Sequence, residues 1–266
     1  MLKYSFLLIF LILGGLAKAQ IPLKEVTVVP TYTAWEVLEK AKEALKKNYD
    51  FKYHKYQLNS ETIKDGKDTL LFYDEKVTYC FESPNFLSVS FRNSYHPKIK
   101  NSDFFKNYDS YFNIIEEHFF ESKFNALGRY LSAYFFYDRS KYKVELEKIA
   151  DNYIVRFDSY YFKGYWIVEG KNFFIKEISM VTNNYNLRMA SNDNYNTKIT
   201  RFLGDYSCDN VVMLKFQTTL DSKILIDEVN SNYIYKNIVL RVFNVDKPNV
   251  ETNFNAVSKF QLKLIK

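Results

Sequence analysis

Acids and histidine crowd together at one place in this chain, "IIEEHFFES", where Glu116, Glu117, His118 and Glu121 fall within six residues. On a helix His118 and Glu121 share a face, and two such side chains would be half of a tetrahedral metal set. The Ile and Phe residues between them favour a plainer reading, a solvated polar face opposite an apolar stripe, and no metal ligand is assigned. His54 and His96 stand alone. No GxSxG or HExxH occurs, and neither Cys80 nor Cys208 carries a signature linking it to a His and an Asn. Seven glycines form no phosphate-cradling loop, and Asp193 in "SNDNYN" lacks the EF-hand spacing. A non-enzymatic protein without a cofactor is the expectation.

Apolar surface is the other chemistry on offer. Phe105, Tyr108, Phe112, Ile115 and Phe119 recur at steps of three or four through "SDFFKNYDSYFNIIEEHFFESKF", a bulky stripe on one helix face. Asp103, Lys106, Asp109, Glu116 and Lys123 fall mainly off that stripe. Phe112, Ile115, Phe119 and Trp166 are the candidate ligand-binding residues, because pockets for small molecules are mostly apolar with few polar groups. Any one of them is more simply a core residue. The 23 Tyr and 24 Phe, beside abundant Lys, Asn and Ile, also fit AT-rich codon usage, and aromatic residues suit a half-buried pleated sheet.

The elements that would position these residues follow from periodicity. Thr33 and Glu36 make a capping-box pattern before "AWEVLEKAKEALKKNY", whose Leu38, Ala41 and Leu45 share a face. From Tyr53 the period becomes two, and Asp65-Gly66 predicts a hairpin between "YHKYQLNSETIK" and "KDTLLFYDEKVTYCFE". After the aromatic helix, "NALGRYLSAYFFYDR" reads as a turn and a short helix. Strands return at Tyr142–Glu147 and, past a turn at Asp151-Asn152, at Tyr153–Phe157. Two more flank a turn at Glu169–Asn172, with Ile175 and Ile178 out of phase, as a bulge would make them. Further strands are expected at Val211–Leu220, Lys223–Val229, Ile238–Phe243 and Lys259–Ile265, and a surface loop at the Asn-rich Thr182–Thr197.

The N-terminus predicts the compartment. "MLKYSFLLIFLILGGLAKAQ" has Lys3, an uncharged run from Tyr4 to Ala17 too short to span a bilayer, and Ala17-Lys18-Ala19 before a cleavage site. Residues 1–19 read as a signal peptide, and no later stretch is apolar and long enough to span as a helix. The formal charge of +6 includes Lys3 and Lys18, and no Lys/Arg run is dense enough for nucleic acid. Export permits disulfides, so Cys80 and Cys208, 128 positions apart, are a candidate pair whose geometry the sequence leaves open.

"LKEVTVVP", the "AWEVLEKAKEALKKNY" helix and "YQLNSETIKDGKDTLLFYDEKVTYC" together resemble a segment of exported Bacteroidetes proteins that follows a carboxypeptidase-regulatory-like domain. "YIVRFDS" and "GYWIVEGKNFFIKEISM" look like paired strands of the lipoprotein-carrier fold. The likeness covers most of residues 22–182, without the β-sandwich that usually comes first. It implies an α+β, mostly antiparallel chain: a curved incomplete barrel of about ten strands wrapped around an aromatic-rich helix. Residues 20–266 would be one such half-barrel domain, periplasmic or associated with the outer membrane. Its partner would be an apolar small molecule or acyl chain, or alternatively an outer-membrane protein contacted by a scaffold with a filled core.

Overall fold

Thr33 begins the first helix as its capping box predicts. In the computed structural model its side chain accepts from the Glu36 backbone, while the Glu36 carboxylate accepts from the Thr33 N–H at 2.6 Å. The helix, α1 (Ala34–Asn48), buries Val37, Leu38, Ala41 and Leu45. The structure describes residues 32–266 except 87, 107, 109–110, 133–137, 161, 196–197 and 244–248. At 118, 121–122, 125, 184–185, 187–195 and 198–201 it describes the backbone alone. The signal peptide and "LKEVTVVP" therefore lie outside the described residues, as do the His118 and Glu121 side chains.

An open antiparallel sheet of eleven strands follows, a half-barrel as the sequence predicts. The strands are β1 (His54–Lys64), β2 (Asp68–Phe81), β3 (Val89–Phe91), β4 (Ile99–Lys100), β5 (Lys143–Ile149) and β6 (Asn152–Asp158). β7 (Phe162–Glu169), β8 (Ile175–Tyr195), β9 (Lys198–Thr218), β10 (Ile224–Phe243) and β11 (Val250–Leu264) complete it. Their order is β3-β2-β1-β11-β10-β9-β8-β7-β6-β5, with β4 also on β2. The β1–β2 turn has Asp65 and Gly66 both at positive φ, 47° and 70°, closed by Lys67 N–H to the Lys64 carbonyl at 3.0 Å. That is the type I′ geometry an Asp-Gly pair favours. The Ile175/Ile178 phase slip is a bulge, where the β7–β8 register shifts between Ile167 and Val168.

Three expectations change. The Asn-rich stretch is not a loop as far as Tyr195, because β8 runs through it and pairs with β9 on both sides of a register shift between Thr182 and Tyr185, while 196–197 lie outside the described residues. Pairing on an adjacent strand outweighs the poor strand preference of Asn. The expected strands at Lys223–Val229 and Ile238–Phe243 are one strand, β10, interrupted by a register shift between Tyr235 and Ile238 with Asn237 at φ 52°. The aromatic helix is not continuous. It is α2 (Ser102–Phe105), α3 (Phe112–Glu116), a π-turn (Glu117–Glu121) and α4 (Ser122–Ser132). Residues 107 and 109–110, between the first two, lie outside the described residues. The short helix expected after it is instead the longest piece, α4.

This broken segment covers the inner face of the sheet. Tyr73 of β2 stacks on Phe120 at 3.8 Å, Phe260 of β11 meets Phe124 at 5.1 Å, and Tyr235 of β10 meets Phe119 at 4.9 Å. Phe202 of β9 stacks on Tyr111 at 4.9 Å. Gly128 lets α4 close on the loop after β2, where an added Cβ would overlap the Phe86 carbonyl oxygen. Both sheet edges are blunted. β3 and β4 are three and two residues long, and β5 is a charged, largely exposed strand, two of the usual defences against strand addition.

Candidate functional site

Because paired residues on neighbouring strands share a face, the register sorts the inner surface into rows. One row is wholly apolar: Leu58, Leu262, Val229, Leu214, Ile178, Trp166 and Val155 run across seven strands from β1 to β6. All seven have zero exposure. Trp166 is thus one link in a row that holds the sheet together.

Four residues further along the same strands, about 13 Å away, the row turns polar. Thr62 of β1 faces Ser258 of β11, then Tyr233 of β10, Asn210 of β9 and Thr182 of β8. Thr62, Ser258, Tyr233 and Thr182 are buried. The Thr62 and Ser258 hydroxyls bond each other at 2.8 Å. The helical segment answers with two polar side chains seven residues, or two turns, apart. Tyr130 OH accepts from Asn210 Nδ2 at 3.1 Å, and Lys123 Nζ donates to Ser258 Oγ, with Ser60 Oγ at 3.5 Å. Among the described residues Asn210 Oδ1 and Thr182 Oγ1 find no hydrogen-bond partner.

Lys123 is the chemical centre of this seam. It is 1% exposed, and no carboxylate among the described residues lies within ion-pair distance of it. Its ammonium lies 5.5 Å from the Tyr233 ring centroid and 5.9 Å from that of Phe260. Burial pushes its pKa down to about 7, against an opposing pull from Cys208. Burial pushes Cys208 up to about 12, with Asp209 acting in the same direction, and Tyr130 also up to about 12. Tyr233 is raised well above the ordinary phenol value for the same reason. Among the described residues, none of these neighbours is therefore an anion at neutral pH. A buried ammonium costs several kcal/mol when hydroxyls and rings are its only partners.

The four residues chosen from sequence do not form one pocket wall. Ile115, Phe119 and Trp166 have zero exposure, so no water-sized void touches them. Phe119 packs on Tyr235, six residues along β10 from the row that holds Trp166, a separation of about 20 Å. Phe112 is half-buried, 5.0 Å from the Phe105 ring and with Lys100 Nζ 3.9 Å from its centroid. Two surface hollows of about 350 Å³ and about 520 Å³ lie around Asn101–Lys106, and none of the four lines either. Periodicity found the buried stripe but could not tell core from cavity.

Sequence reading missed Lys123, which it set off the stripe although it follows Phe119 by four residues. The signal was present in β1 too, where the inward positions pass from Tyr56 and Leu58 to Ser60 and Thr62. The candidate pair Cys80 and Cys208 is not bonded. Both are free and buried, on β2 and β9, four strand spacings or about 19 Å along the sheet. A bond needs Cα atoms within about 7 Å. Glu116 of the acid cluster faces inward to accept from Tyr73 OH, and His54 Nε2 lies 3.3 Å from an Asp50 carboxylate oxygen. Among the described residues no three His, Cys, Asp or Glu side chains gather as a metal set would. Compared with known proteins, this chain matches no family model, no curated protein and no solved structure.

Proposed function

We propose that this chain is an exported cell-envelope protein that binds an apolar ligand, the acyl chain of a lipid or lipoprotein. The ligand would lie between residues 102–132 and the inner face of the sheet, and the conformation described is the closed form. One observation carries this reading: the apolar face of an open half-barrel is covered by helix in short pieces joined through a π-turn, not by a rigid rod. Such breaks are places where a cover can hinge, and π-turns recur at functional sites. Ring contacts make up most of the joint, and an acyl chain can replace them at about 0.8 kcal/mol per CH₂ buried. The blunted edges weigh the same way, since they remove the surface a strand-adding scaffold would use. Export rests on the signal-like residues 1–19. The resemblance of "YIVRFDS" and "GYWIVEGKNFFIKEISM" to lipoprotein carriers is one of sequence alone, so function is argued from the seam.

A filled core that acts through protein contacts is the second reading, favoured by the zero exposure of Ile115, Phe119 and Trp166. Native mass spectrometry with solvent extraction, on mature protein purified gently from its own envelope, separates the two. The binding reading expects one acyl-bearing molecule per chain. A chain that arrives empty and takes up no fatty acid would leave the second.

A further inference from the structure

The polar row is a costly thing to keep inside a sheet whose row four residues away is wholly apolar. Its hydroxyls and its one ammonium meet at the boundary between α4 and strands β1 and β11. Lys123 Nζ reaches Ser258 Oγ and, at 3.5 Å, Ser60 Oγ, while Thr62 Oγ1 lies 2.8 Å from Ser258 Oγ. All four side chains are at most 3% exposed. Each hydroxyl brings one donor and two lone pairs and the ammonium three donors, so hydrogen bonding can balance within the cluster and the surplus is one of positive charge. A structural cluster would balance that surplus with a carboxylate, and none of the described residues supplies one.

We infer that Lys123, Ser258, Ser60 and Thr62 form the receptor for an anionic head group, a carboxylate or a phosphate, at the polar end of the seam. This rests on the acyl-binding reading above and adds which end of the ligand the protein recognises. The head-group oxygens take hydrogen bonds from the ammonium and the hydroxyls, which a charge-assisted geometry strengthens. The acyl chain runs from there along the strands, past Phe260, toward the apolar row about 13 Å away. A neutral lipid gains the second part of this contact and not the first.

Proton linkage gives the site a signature. Among the described residues the titratable groups against Lys123 are Tyr233 from β10 and Cys208 from β9, with Tyr130 two turns along α4, all pushed up by burial, while β1 and β11 present hydroxyls. Lys123 is therefore the group whose charge changes near neutrality. An anion beside it favours the protonated form, so anion affinity is highest below pH 7 and falls as the pH rises toward 9.

The test uses the full mature chain and three probes of equal chain length: dodecanoate, dodecyl phosphate and dodecanol. Displacement of a fluorescent fatty acid is read at pH 6.5 and pH 9. The inference expects at least one anion to bind about tenfold or more tighter than dodecanol at pH 6.5. It expects that advantage to shrink for dodecanoate at pH 9 and to vanish in Lys123→Met. The anion that binds tighter identifies the head group. Equal affinity for all three, unmoved by pH or by Lys123→Met, overturns the receptor and leaves acyl binding standing. Binding of none of them overturns both. The pH comparison needs no variant, and Ser258→Ala serves if Lys123→Met fails to fold.

Discussion

Two rows on the same face of the same strands, four residues apart, are filled in opposite ways. The row of Leu58, Leu262, Val229, Leu214, Ile178 and Trp166 is apolar throughout and has no exposed surface. In the row of Thr62, Ser258, Tyr233, Asn210 and Thr182, every side chain carries a hydroxyl or an amide, and a buried ammonium is held above it. Backbone geometry is common to both, so the difference lies in the side chains. The first row stabilises the sheet. The second costs stability, because its ammonium gives up water for hydroxyls and rings alone among the described residues.

The comparison breaks most sharply at Trp166. Trp166→Ala should lose about 3–5 kcal/mol in urea unfolding, because it empties a fully packed site between Val155 and Ile178. A loss below about 1 kcal/mol would mean that the apolar row is not tightly filled.

Lys123→Met should act in the opposite direction. The unfolded lysine holds its proton to about pH 10.4, the folded one only to about 7. Between those values unfolding takes up a proton, so wild-type stability rises with pH, and below pH 7 it stays at its low plateau. The variant should lack that rise and be about 1–4 kcal/mol more stable at pH 6. A wild type with flat stability from pH 7 to 10 would remove the buried charge from the account.

Smaller effects mark the ends of the cover. Gly128→Ala should cost about 1–3 kcal/mol by forcing α4 away from the Phe86 carbonyl, read as a fall in thermal midpoint. Thr33→Ala should cost about 1 kcal/mol through the lost cap of α1, with no change in ligand affinity. Reducing agent should shift neither stability nor mobility, since Cys80 and Cys208 are unpaired. A shift with dithiothreitol would contradict the strand order that separates them.

Local chemistry was legible before the fold was. The Thr33–Glu36 box, the Asp65-Gly66 turn and the Ile175/Ile178 phase slip each depend on a few adjacent residues, and each forms as read. What depends on distant pairing was not legible. Asn-rich residues 182–195 are a strand because β9 lies beside them, and two apparent strands are one because β11 pairs across the β10 bulge. Of the candidate site, the buried aromatic stripe was visible and its emptiness or fullness was not. Packing across the sheet decides that, and periodicity along one segment carries no such information. Lys123 was misplaced because a charged residue is usually solvated, and this one is buried under α4 against β11.

Hydrogen exchange with and without dodecanoate at pH 6.5 locates the ligand on the chain and so decides whether the seam receives it. The account predicts altered exchange in residues 112–132 and in β1 and β11 around Thr62 and Ser258, with α1 and β5 unchanged. No change at saturating dodecanoate, or change confined to the outer face of the sheet, would contradict it.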